Sequence, residues 1–138
     1  MDVVLRVAQK AQQTEEVRAP QLKSMSDLEL GITRASLQLR HAILSRDEQE
    51  LNTTLQDIAA KKAMLQQTLD RFGQGMTDEA GRAAFAPLPA LMNTFWQVAE
   101  QNVALIVAGQ REEAFAFLVD QTIPSRNRLL APLAAEKS

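Results

Sequence analysis

Two arginines six residues apart, Arg34 and Arg40, lie in a segment that also carries Thr33 and His41, and a third, Arg126, follows far downstream. These are residue types that hold anions. A guanidinium presents a planar fork that meets a carboxylate through two parallel hydrogen bonds, whereas an ammonium is a hydrated point charge. The chain uses ten arginines against five lysines, so planar recognition is favoured over simple charge. A second polar group interrupts otherwise apolar patterns: Asn102, and the run Gln121, Thr122 and Ser125. A hydroxyl or amide left unpaired in a core costs ~1–3 kcal/mol, so each needs a partner, a water or a ligand. The plainer account of these groups is bonding between helices or to their own helix's carbonyls. For the arginines, the plainer account is a solvated face.

Chemistry of other kinds lacks its residues. His41 is the single histidine and cysteine is absent, which excludes two-histidine metal sites, the paired Glu-x-x-His di-iron pattern, thiolate nucleophiles and c-type haem attachment. No phosphate-cradling glycine loop, nucleophile elbow or kinase signature occurs. The acid pairs Asp47/Glu48, Asp78/Glu79 and Glu112/Glu113 all fall at expected helix starts, where acids complement the dipole. The expectation is a protein that is not an enzyme and has no catalytic residues, metal or cofactor. A net charge of -2 gives no electrostatic reason to expect nucleic acid.

The elements that must position these groups are helical. Hydrophobic residues make up 46 % of the chain but aromatics only 4 %, with Ala, Leu, Gln and Glu dominant and β-branched residues sparse. One domain spanning 1–138 is expected, with helices roughly at 5–44, 48–73, 78–108 and 111–135. Pro20 is expected to bend or restart the first. Ser45 and Asp47 can cap the second, and Gly73-Gln74-Gly75 ends it through a left-handed cap. Thr77 with Asp78 and Glu79 opens the third, which Pro87 and Pro89 kink early. Gly109 closes it, and Pro124 bends the fourth. Short connections make neighbours antiparallel, so the fold class is all-α, an elongated up-down-up-down four-helix bundle. No apolar run approaches the roughly 20 residues of a membrane span.

The first helix carries two apolar stripes. Leu28, Ile32, Ala35, Leu39 and Ala42 follow the steps of a core face. Leu30, Leu37 and Leu44 recur every seven residues on roughly the opposite side, flanked by Thr33, Arg34, Arg40 and His41. A second stripe implies a partner helix. The expected oligomer interface is Leu30, Leu37, His41 and Leu44, forming a homodimer or other small homo-oligomer through helix one. Arg34 and Arg40 are expected to project from one flank of that helix, and arginines of two chains can converge there.

The layout resembles the periplasmic sensor domain of methyl-accepting chemotaxis receptors, the bundle type of the aspartate and serine receptors. The likeness covers about Arg18 to Ala135. It rests on four helices of this length and order, on Thr33-Arg34 through Arg40-His41, and on Phe115 to Pro124 near the start of helix four. The resemblance implies that arginines of helix one and a threonine of helix four hold the ligand; Arg34, Arg40 and Thr122 stand nearest those places. The third arginine of the family's set has no counterpart, Ser36 lies at such a place, and the proline follows the threonine. These departures point away from aspartate towards a ligand with more carboxylates and no amino group, such as malate, succinate or citrate. Candidate ligand-binding residues are therefore Arg34, Arg40, Thr122, Thr33, Gln121, Asn102 and Arg126. The pocket lies either between subunits or inside one bundle, lined by Asn102, Gln121 and Thr122. The resemblance further implies flanking membrane spans, a periplasmic location in an inner-membrane receptor and a shift of helix four as the signal. A histidine-kinase sensor domain and a helical adaptor without a small ligand remain alternatives.

Overall fold

The computed structural model describes the backbone from Asp2 to Lys137, with side chains described from Pro20 to Ala135. Helix α1 (Asp2–Ile43) runs unbroken through Pro20. A turn at 44–47 leads to α2 (Glu48–Gln74), capped by Asp47, whose carboxylate accepts from the Glu50 N–H at 2.7 Å. Ser45 instead donates to the His41 carbonyl. Gly75 caps the end of α2 at φ -79, an ordinary right-handed conformation, so the expected left-handed cap does not form there. Its N–H reaches the Arg71 carbonyl at 3.1 Å, and the Met76 N–H the Gly73 carbonyl at 3.2 Å, without it.

What reads as one third helix is two. Asp78, not Thr77, caps the short α3 (Glu79–Phe85), and α4 (Leu88–Val107) begins after Pro87. Gly109, at φ 77, supplies the left-handed residue that turns the chain into the fourth rod. That rod comprises α5 (Arg111–Phe117), a π-helical turn at Leu118–Thr122, and α6 (Ile123–Lys137). The π turn has a plain cause. Pro124 has no N–H to give the Asp120 carbonyl, and the Ile123 N–H reaches back five residues to Leu118. The expected bend at Pro124 is thus met by one surplus residue in the preceding turn.

The four rods are antiparallel and share one core, the all-α, up-down-up-down bundle the periodicity demands. Leu28, Ile32, Ala35, Leu39 and Ala42 of α1 are buried, with Leu65 and Leu69 of α2, Met92 and Phe95 of α4, and Leu118, Leu129 and Leu133 of the fourth rod. α1 packs closely along α2, and α4 along α6, whereas α2 and α4 touch sparsely. The close α1–α2 approach is possible because Gly31 faces Leu65, whose side chain occupies the space a Cβ would need. No described helix is long and apolar enough to cross a membrane.

Candidate functional site

Contacts fix which way each side of α1 faces. Gln38 and His41 reach α2: Gln38 Nε2 donates to Asp57 Oδ2, and His41 Nε2 lies 3.4 Å from Glu50 Oε1. Ser36 reaches α6, accepting from Arg126 Nη1 at 3.1 Å. Between these two sides, opposite the core, Leu30, Leu37 and Leu44 stand 50, 55 and 62 % exposed. An unpartnered outer stripe is therefore present on the folded chain. Phe115 and Val119 of the fourth rod are exposed as well, and Phe115 borders the same shallow hollow as Leu44 and Ile43, so the apolar face extends beyond α1.

This geometry corrects the placement of Arg34 and Arg40. Six residues turn a helix through about 600°, which leaves them ~120° apart instead of on one flank. Arg34 falls on the α2 side of the leucine stripe, with His41. Arg40 falls on the α6 side, one turn beyond Ser36. Both are exposed, and neither has a hydrogen-bond or ion-pair partner among the described residues.

Arg126 is half-buried and its acceptors are all neutral. Nη1 donates to Ser36 Oγ, while Nε and Nη2 donate to Asn127 Oδ1 at 3.2 and 3.0 Å. Ser36 passes its own proton to the Thr33 carbonyl at 2.8 Å, so its hydroxyl is oriented to accept from the arginine. Thr33, Ser36, Arg40 and Arg126 thus line the α1–α6 seam beside the leucine stripe, holding two guanidinium groups that form no ion pair among the described residues. Guanidinium groups so placed can attract and orient an acid.

The polar residues expected to line a pocket inside the bundle are arranged otherwise. Asn102 and Thr122 do meet, but they satisfy each other. Thr122 Oγ1 donates to Asn102 Oδ1, and Asn102 Nδ2 donates to the Ala114 carbonyl, all fully buried. Gln121 is exposed, not on the inner face: Thr122 and Ser125 take the inward positions, and the adjacent residue turns ~100° away. Both side chains are therefore engaged with each other at that level, and Thr122 is tied to α4, not to the arginines of α1. Sequence reading missed the Arg126–Ser36 bond, although Thr33, Ser36 and Arg40 repeat at three and four residues, a signal for one face. It also missed Asp57, where hydrogen bonds from Lys61 and then Gln38 hold the carboxyl below the ordinary carboxylate range.

No group of three or more metal-binding side chains occurs among the described residues. No curated protein and no solved structure matches the chain. Residues 4–136 match the family described as the four helix bundle sensory module for signal transduction. With nearly all of its length covered and the bundle in place, the chain belongs to that family, the sensory module of chemotaxis receptors.

Proposed function

We propose that this chain is the periplasmic ligand-binding module of an inner-membrane chemoreceptor, and that it senses a small di- or tricarboxylate such as malate, succinate or citrate. One observation carries the reading: three guanidinium groups, Arg34, Arg40 and Arg126, flank the exposed leucine stripe and form no ion pair among the described residues.

The stripe is the seam of a homodimer. When two α1 helices pair along Leu30, Leu37 and Leu44, opposite flanks of the two chains come together. Arg34 of one chain then stands near Arg40 of the other, with Thr33 and Arg126 behind. Like charges brought together repel, so the pairing is weakest when the site is empty, and a di- or tricarboxylate bridging it favours the dimer.

Signalling follows from the bond between Arg126 and Ser36. A carboxylate is a stronger acceptor than a hydroxyl, by about twofold in hydrogen-bond strength, so it draws Arg126 away from α1. That loosens the tie between α6 and α1. The π turn just above holds one surplus residue, and absorbing it moves α6 by ~1.5 Å along its axis. Displacements of ~1–2 Å at helix interfaces are a known currency of switching proteins. Membrane spans flanking the module in the full receptor carry such a shift onward.

Thermal shift against organic acids tests the reading. A binder gains RT ln(1 + [L]/Kd), about 2.7 kcal/mol at a hundredfold excess over Kd. Arg34→Ala and Arg40→Ala should each abolish the shift given by malate, succinate or citrate, with the unliganded melting point nearly unchanged. Variants that respond like the parent would reduce these arginines to solvated surface, and a parent that responds to no carboxylate would favour an adaptor bundle.

A further inference from the structure

The sparse contact between α2 and α4 leaves a cleft of about 290 Å³ between them, on the side of the bundle away from the α1–α6 seam. Its walls are apolar: Leu55 and Ile58 from α2, Ala99 and Val103 from α4. Three further lining groups give it chemistry.

Trp96 is 3 % exposed, its ring packed edge-on against Phe95 at 5.1 Å, yet its indole N–H has no acceptor among the described residues. A buried indole N–H normally finds one. At the mouth, Lys62 Nζ meets Glu100 Oε1 at 2.7 Å, the one ion pair joining α2 to α4 among the described residues. Glu100 is the more exposed of the two, 64 % against 41 %, so it can swing into water while Lys62 stays over the cleft. The cleft then offers the Lys62 cation at its mouth above an apolar floor, with the unpaired indole N–H buried in its wall.

We propose that this cleft is a second binding site, for a small aromatic monocarboxylate. The ring lies between Leu55, Ile58, Ala99 and Val103. The carboxylate takes the place of Glu100 on Lys62 and, with the indole turned towards the cleft, accepts from Trp96 Nε1. Size agrees, since a cavity of ~150 Å³ already holds a benzene ring. Charge agrees too: with Glu100 displaced, a single positive charge remains, matched by one carboxylate. A dicarboxylate would press its second charge against apolar walls, which costs heavily without a partner. The site is therefore distinct in ligand class from the seam at Arg40 and Arg126, and stands or falls separately from it.

Trp96 is the chain's only tryptophan, so one indole resonance in a ¹H–¹⁵N spectrum reports on the cleft. Titration of the intact module with benzoate should move that resonance saturably. Lys62→Gln should weaken the titration about ten- to a hundredfold, the usual effect of losing a charged hydrogen bond. Ala59→Leu, which adds bulk at an exposed position on the rim, should weaken it as well. Arg34→Ala and Arg40→Ala should leave it unchanged, and malate should not move the resonance. An indole signal unmoved by about 10 mM benzoate overturns the proposal. So does a Lys62→Gln variant that titrates like the parent, or a response to malate as strong as that to benzoate. None of these readings depends on whether malate binds at α1.

Discussion

Thr122 Oγ1 donates to Asn102 Oδ1 across 2.8 Å in the interior of the bundle, joining the π turn of the fourth rod to α4. Both residues are fully buried, so no water stands ready to replace either partner. Thr122→Val keeps the shape and removes the donor, leaving the Asn102 oxygen unpaired. The expected loss is ~1–3 kcal/mol in urea unfolding. Adding Asn102→Leu to Thr122→Val should recover part of that loss, because two apolar groups no longer leave a polar atom stranded between them. A neutral Thr122→Val would mean that the bond carries no net stability.

Gly31 and Leu65 give a second test. Alanine in place of glycine inside an exposed helix gains about 1 kcal/mol from propensity. Here the new methyl runs into Leu65, whose Cγ lies 3.2 Å from the added carbon and which is itself only 1 % exposed. Overpacking of this kind costs ~1–3 kcal/mol, so Gly31→Ala should lower stability on balance. In the Gly31→Ala background, Leu65→Ala should cost less than it does alone, because the methyl fills part of the space vacated. A double-mutant cycle measures that coupling directly.

The outer stripe predicts assembly. Leu37→Glu puts charge in the middle of the seam without touching the core, so folded stability should change by no more than ~0.5 kcal/mol. Sedimentation over a range of concentrations should show the parent self-associating and the variant monomeric. Citrate should raise the dimer fraction of the parent. A monomeric parent at every concentration, with or without citrate, would remove the seam as an interface.

Asp57 sets an acid limb. Its carboxyl is held below the usual range by bonds from Lys61 and Gln38, so the folded state favours the ionised form. The stabilisation is fully present above the unfolded value of ~3.9 and disappears as pH falls through the depressed folded value. Because Asp57 is 41 % exposed, screening keeps the contribution within ~0.2–1 kcal/mol. Asp57→Asn should therefore lower the urea midpoint slightly near neutrality and leave it unchanged near pH 2. A difference that persists at the acid end would assign the effect to packing.

The bundle was legible because its signals are periodic and local. The core stripe of α1 is buried where its spacing puts it, and Asn102 is buried within the apolar pattern it interrupts. Pro124 was legible as a disturbance but not in its form, since a proline can be met by a kink or by a wider turn, and only packing decides. The π turn then changes which side chains follow one another inward, and Gln121 was lost to solvent in that step. Arg34 and Arg40 were misplaced for a simpler reason. Closeness in sequence is not closeness around the helix, and six residues bring the chain well short of two full turns. Pairings across helices, such as Arg126 with Ser36 or Lys62 with Glu100, depend on relative rotation and height that no single helix encodes.

Arg111 Nη2 donates to the Ser45 carbonyl at 2.6 Å, which fastens the turn after α1 to the start of the fourth rod. The two rods are thus clipped together at one tip, and tied again halfway along by the Arg126–Ser36 bond. Motion started at Arg126 and Ser36 is resisted at the fastened tip by this clip. Under the proposed switch, the stretch of α6 beyond Arg126 is then the part that answers the ligand, while the fastened tip serves as its anchor.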